Sequence, residues 1–331
     1  MLGLALAAEP IAYAASLDAL KRLYLRPDQI PFPADNPYSD AKADLGSLLF
    51  FDPRLSANGS MSCATCHNPS LGWQDGQKAA IGVHGNALAR STPTILDLAW
   101  AGPLMWDGRR DELEDQVSGP ITAPTEMDGS VTQAVQLVSS LPVYRRLYAR
   151  AYGKAPVSFD RLAQAISTFE RTEVSNRSPF DRWIDGETNI LSAPARRGFE
   201  LFNGRANCAA CHSGWRFTDD GFHDIGLPDG DLGRGRIVTD ESILQHAFKT
   251  PTLRNVAQRA PYMHNGSLPA LRAVIEHYNA GFVERASLSP DVKPLGLSSQ
   301  DVDDLVAFLS TLTSNDDAVT VPSLPTKDDD R

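Results

Sequence analysis

Two pentapeptides constrain this chain more than anything else in it: Cys63-Ala64-Thr65-Cys66-His67 and Cys208-Ala209-Ala210-Cys211-His212. Each has the Cys-x-x-Cys-His form of a c-type haem attachment site. The spacing has a chemical reason. Two thiols at that distance can add to the two vinyl groups of one porphyrin, and the histidine that follows is placed to bind the iron. A structural zinc site is a poor alternative, because paired zinc motifs lie about 15 to 20 residues apart. Cys66 and Cys208 are much further apart, and zinc leaves both trailing histidines without a role. A thioredoxin-like dithiol needs a βαβ setting, which the pattern lacks. The chain therefore reads as the carrier of two covalently bound c-type haems. Cys63, Cys66 and His67 hold one; Cys208, Cys211 and His212 hold the other. These are all 4 cysteines of the chain, so no disulfide is available.

A length of 331 residues suits two domains. The formal net charge of -10 argues against nucleic acid and against anionic membrane surfaces as partners. No apolar run is long enough for a membrane span. Leu2 to Ala8 form a short apolar run followed by Ala12-Tyr13-Ala14, so residues 1–15 read as the remnant of a secretory signal peptide. Haem attachment of this type occurs outside the bacterial cytoplasm, and both observations point to the periplasm.

Hydrophobic periodicity predicts helices over 16–26, 40–51, 130–153, 158–173, 193–203, 268–280 and 299–313. Glycine, asparagine and proline predict long loops over 68–103 and 214–236, and a junction at 179–186. The expected fold is mostly α, with two cytochrome-c-like haem lobes side by side, long loops and little strand. The expected division is an N-terminal haem domain at 16–178 and a C-terminal one at 179–318. A polar, disordered tail follows at 319–331. The lobes form a weak internal repeat of helix, haem motif and glycine-rich loop.

His67 and His212 fill one axial position of each iron, and the other position decides function. Candidates are His84, His223, His246, His264, His277, Met61, Met105, Met127, Met263 or a tyrosine. Leu271, Val274, Ile275 and Tyr278 share one helical stripe, with His277 turned about 100° away. On this pattern alone Tyr278 reads as a buried tyrosine with a bonded hydroxyl rather than as a ligand.

The chain resembles the bacterial dihaem cytochrome c peroxidase and MauG superfamily over roughly residues 42–315. The pieces that carry the resemblance are Arg54-Leu55-Ser56, Thr92-Pro93-Thr94, Trp106-Asp107-Gly108-Arg109, Leu113-Glu114-Asp115-Gln116 with Pro120, and Glu126-Met127. Phe248 to Asn255 and Pro261-Tyr262-Met263-His264-Asn265-Gly266 complete them. The resemblance implies that the haem on His67 reacts with hydrogen peroxide, with Gln116, Pro120 and Glu126 lining its distal pocket. It implies that Trp106 lies between the haems and carries electrons or holes. It places the sixth ligand of the second haem at Tyr278, where the peroxidases proper carry methionine and MauG-type enzymes carry tyrosine. A thioether raises haem potential. A tyrosinate is a hard anionic donor that lowers it and favours storing oxidising equivalents as Fe(IV).

The implied activity is peroxide-driven formation of a high-valent bis-Fe(IV) state that oxidises a tryptophan on a partner protein by long-range electron transfer. In MauG a tryptophan two residues before the second haem motif relays electrons from the substrate; Ala206 stands there in this chain. That departure favours a relative of the MbnH-type enzymes, which convert tryptophan to kynurenine in a copper-binding partner. Trp215 and Trp183 are other possible relays, though each reads more simply as core. The alternative is a peroxidase that takes electrons from a small cytochrome c or cupredoxin. A plain electron carrier needs no pocket like that of Gln116, Pro120 and Glu126. His84 falls where the peroxidases keep a switchable ligand for the first haem, and the tyrosine branch leaves that haem open. The family also binds calcium between the haems. Its ligands here would be Ser91, in place of an asparagine, and the carbonyls of Arg259 and Pro261.

Overall fold

A computed structural model describes residues 17–314 and 319–326 of the chain. The expected signal remnant at 1–15 lies outside them. Regular structure is helical almost throughout. In chain order the helices are α1 (17–22), α2 (Asp40–Phe51), α3 (Cys63–Cys66), α4 (Leu113–Gln116), α5 (Ser118–Thr122), α6 (Val131–Ser140) and α7 (Pro142–Tyr152). They continue with α8 (Phe159–Thr172), α9 (Pro179–Ile184), α10 (Ala193–Asn203), α11 (Leu271–Glu276) and α12 (Ser299–Ser310). Among the described residues the only sheet is the antiparallel pair β1 (Phe222–His223) and β2 (Phe248–Lys249).

The single helix expected over 130–153 is two. Pro142 lacks the N–H that a continuing helix needs, so α6 ends at Ser140 and α7 starts with Pro142 in its first turn. Serines set several starts: Ser39 accepts from the Lys42 N–H, Ser130 from that of Gln133, and Ser298 forms a capping box with Asp301.

Each lobe is built on one pair of crossing helices. In the first, α2 lies on α8 at Gly46, where an added Cβ would stand 1.9 Å from the Ala165 carbonyl oxygen. In the second, α10 lies on α12 at Gly198, where a Cβ would stand 2.0 Å from that of Asp304. Leu45, Leu49, Phe50, Leu162 and Ile166 fill the first core. Phe180, Phe199, Phe202, Phe217 and Phe308 fill the second with a network of edge-on rings.

The repeat is far more detailed than the haem motifs alone indicate. Thr92 to Gly108 and Thr250 to Gly266 follow the same path. Each has a Thr-Pro-Thr, a left-handed residue (Asp97, φ 62; Asn255, φ 56), a 3-10 turn, a left-handed methionine (Met105, φ 69; Met263, φ 74) and a left-handed glycine. The first left-handed residue fastens the loop to the end of its lobe. Asp97 accepts from the Ser175 N–H and hydroxyl at 3.0 and 2.8 Å, and Asn255 from those of Ser314 at 2.9 Å each.

The chain ends cross over. Tyr24 is buried against Phe180, Phe199 and Phe217, with Leu17 and Leu20 beside it, so the N-terminal segment packs on the second lobe rather than within a unit spanning 16–178. Val319 and Leu324 pack on the first lobe, and Arg54 donates to the Pro325 carbonyl at 2.8 Å. That part of the expected disordered tail is therefore anchored.

Candidate functional site

Each lobe has a slot behind its Cys-x-x-Cys-His motif. His67 Nδ1 lies 3.3 Å from the Trp73 carbonyl oxygen and His212 Nδ1 lies 2.8 Å from that of Phe217. Both acceptors follow from left-handed residues, with φ 62 at Trp73 and φ 55 at Phe217, which turn the chain back over the histidine. A proton held on Nδ1 leaves the Nε2 lone pair for a metal. Burial lowers the pKa of both imidazoles, against the opposing pull of those carbonyls, and so keeps the ligand form neutral. Paired thiols, an oriented neutral imidazole and a slot fit a covalently held haem in each lobe.

Gln116, Pro120 and Glu126 line the first slot, as do Cys63, Cys66 and His67. Gln116 sits at the end of α4, which is fastened to α8 by the two-pronged pair of Arg171 with Glu114 at 2.6 and 2.9 Å. Its amide nitrogen lies 3.7 Å from Met105 Sδ. Burial raises the pKa of Glu126 above the usual carboxylate range, with Arg109 opposing. Glu170 of α8 also lines this slot and escaped the sequence reading. It is buried, one carboxylate oxygen has no partner, and burial pushes its pKa up to about 8. Its position four residues after Ile166, on the buried stripe, was the available signal.

The second slot holds Cys208, Cys211, His212, Leu271, Ile275 and Tyr278. The apolar stripe of α11 faces it, and a π-helical turn at His277–Gly281 follows. Single π turns are common at functional sites. The Tyr278 hydroxyl makes no hydrogen bond among the described residues, contrary to the pattern-based expectation of a bonded phenol. Burial raises its pKa, so a tyrosinate forms there only against a cation. His277 points elsewhere, with Nε2 2.8 Å from the Ile225 carbonyl oxygen. In the register of the repeat, Leu113 matches Leu271 and Pro120 matches Tyr278. The position that offers a phenol in one slot offers a ring with no donor atom in the other.

The first slot continues past Cys66, His67, Gln116 and Glu126 into a larger cavity between the lobes, and Trp106 stands in the wall that this cavity shares with the second slot, together with Gln74, Thr252 and Arg259. Its indole N–H donates to the Ser91 carbonyl at 2.8 Å, and its own carbonyl accepts from the Lys249 N–H at 2.8 Å. His84 is exposed, with Nε2 2.8 Å from Asp128, and does not line the first slot. Ala206 is buried in the wall of the second slot. Trp183 is core, with the Lys21 ammonium 4.0 Å from its ring. Trp215 lies edge-on to Trp100 at 4.8 Å and carries the guanidinium groups of Arg26 and Arg254 at 5.0 and 5.7 Å. A cation against an indole opposes removal of an electron from it, and Asp181, paired with both guanidinium groups, offsets part of that effect.

The expected calcium set does not fit the ion. The Ser91 hydroxyl donates to the Met263 carbonyl at 2.8 Å and lies 3.2 Å from that of His264. Ser91 brings a hydroxyl where the expected set has an amide oxygen, and Arg259 brings a buried positive charge. Calcium takes six to eight oxygens and binds more tightly as their charge rises.

A family model described as di-haem cytochrome c peroxidase matches residues 40–189, and one described as cytochrome c matches 195–313. The methylamine utilization protein MauG of Methylorubrum extorquens is 50% identical over 93% of this chain and 88% of its own length. The protein of the same name from Methylophilus methylotrophus is 45% identical over 95% of this chain and 94% of its own. The crystal structure of a MauG-like protein associated with microbial copper homeostasis is 33% identical, with a TM-score of 0.82 over 88% of this chain and 95% of that one.

Proposed function

Because this chain belongs to the di-haem cytochrome c peroxidase and MauG family, a group of peroxide-dependent oxidoreductases with two c-type haems, we propose that it oxidises a tryptophan side chain on a periplasmic partner protein. The observation that carries this reading is the contrast between the two far sides, Pro120 in one slot and Tyr278 in the other. The first lobe takes peroxide and the second stores oxidising equivalents. The haems supply the redox chemistry: peroxide withdraws two electrons from the pair, and the pair withdraws two from the substrate.

The side chains do the rest. Gln116 orients peroxide by hydrogen bonding. The Glu126 carboxylate takes the proton of the inner oxygen and hands it to the outer one, so that water leaves; such a positioned carboxylate contributes about 10²–10⁴-fold. Pro120 keeps a protein ligand off the first iron, and Trp106 offers an aromatic step between the slots. Peroxide and substrate never meet. Ala206 removes one exit route for the partner's electrons, which by itself favours a copper-binding partner. The 50% identity to a methylamine utilization protein, against 33% to the copper-associated one, weighs towards a partner used in methylamine utilization.

The test is stopped-flow absorption, read into the near infrared, of the diferric protein with one equivalent of peroxide. A prompt, long-lived near-infrared band is expected, and it should decay faster with a partner that then shows a mass change on one tryptophan. No reaction until one haem is reduced would instead support a peroxidase fed by a small donor protein, the activity in the description of the family model over 40–189.

A further inference from the structure

The wall shared by the two slots contains two cations, and only one of them is neutralised within the protein. Lys249 is paired with Asp220 at 2.8 Å. Arg259 is 5% exposed, and among the described residues no carboxylate lies within 4.0 Å of it. Its Nη2 donates to the Thr252 carbonyl at 2.5 Å, while Nε is buried without any partner. Burial pulls its pKa to about 10, against the distant pull of Tyr262 and Asp97, so it stays charged at neutral pH.

The place is made for it. Gly72, in the loop after the first haem motif, has φ +63, and a Cβ there would stand 2.9 Å from Arg259 Cγ. An arginine of the second lobe thus threads past a glycine of the first and ends between the slots. A buried guanidinium without an anion is strongly unfavourable, so the site as built calls for one. Each c-type haem brings two carboxylates, and both slots open on this wall.

We propose that Arg259 pairs with a haem carboxylate at the wall between the slots and acts as the fixed cation of the two-haem unit. It is a positioning residue: it anchors the porphyrin and sets the electrostatic field at the iron. A positive charge there favours the reduced state, so it holds the potential of the haem it pairs with above the value that the axial ligands alone would give. The inference rests on the two haems and not on the identity of the substrate.

The experiment is spectroelectrochemical titration of the haem-loaded full chain as wild type, Arg259→Met and Arg259→Lys. R259M with two haems bound should show a more negative potential for at least one haem, and R259K should restore it. Unchanged potentials in R259M overturn the proposal, as does an R259K that behaves like R259M. If R259M takes up fewer than two haems, R259Q is read in its place. Uptake of both haems by R259K but by neither uncharged variant supports the proposal. Equal failure of all three shows that shape rather than charge is needed, and overturns it.

Discussion

Pro120 and Tyr278 occupy one position of a repeated fold, and the difference between a ring without a donor atom and a phenol makes the two haem sites unlike. Tyr278→Met should therefore do more than remove a contact. A thioether raises haem potential where a tyrosinate lowers it, so the second haem should titrate at a more positive potential, and the near-infrared band formed with peroxide should be lost. Survival of that band would show that Tyr278 is not the ligand. Glu126 is read through pH. Its pKa is raised by burial, and the working form is the carboxylate, so the rate with peroxide should fall as pH drops through that raised value. Glu126→Gln should lower the rate by about 10²–10⁴-fold and flatten the profile in rapid-mixing measurements. What was legible in the sequence at this scale follows from chemistry. Covalent attachment fixes a spacing, so the cysteines and proximal histidines stand out. Helical periodicity predicts only that Tyr278 is buried, and the proposal that it is a ligand came from resemblance. Glu170 was missed and Arg259 was named only for its carbonyl, because the meaning of both side chains lies in what does not stand next to them.

Between elements, the decisive contacts are two glycines. Gly46 and Gly198 let α2 reach α8 and α10 reach α12 with backbone against backbone. A single methyl group forces each pair apart, so Gly46→Ala or Gly198→Ala should each cost about 1–3 kcal/mol, read as a lower denaturation midpoint of the haem-loaded protein. A change within error would mean that the helices adjust freely. Periodicity located both pairs of helices, because an apolar stripe of 3.6-residue period survives in any context. It could not show that the glycines are the crossing points, and it does not detect that Thr92–Gly108 repeats as Thr250–Gly266, because both stretches are loop. That likeness is legible instead in shared residues, among them the Thr-Pro-Thr, a proline, a methionine and the closing glycine, and the backbone angles agree with it. Pro142 was a visible stop, and it was overridden by the apolar pattern on both sides of it.

Over the whole molecule, the lobes are joined by side chains. Arg90 bridges Asp107 and Asp231 at 2.6 and 2.7 Å, and Arg234 donates to the carbonyls of Asp107 and Gly108. Within the second lobe, fully buried Arg254 holds Asp181 at 2.7 Å; burial works against that carboxylate's charge, and Arg254 with Ser178 outweighs it. The Arg90 and Arg234 links and Arg259 in the wall join the two haem sites through the protein's own side chains, and the prediction is that they suffice without a divalent ion. Dialysis against EGTA should leave both haem spectra and the thermal midpoint unchanged. A loss of the six-coordinate spectrum on chelation, reversed by calcium, would restore the ion that the resemblance implies. The crossing of the chain ends has a consequence for how the protein is made. The first residues of the described chain complete the core of the lobe synthesised second, and the last ones cover the lobe synthesised first. A nascent chain that has delivered only its first haem motif still lacks Val319 and Leu324 over that lobe. Cut at the junction, each half would leave behind side chains that cover its own core and carry away side chains that cover the other's.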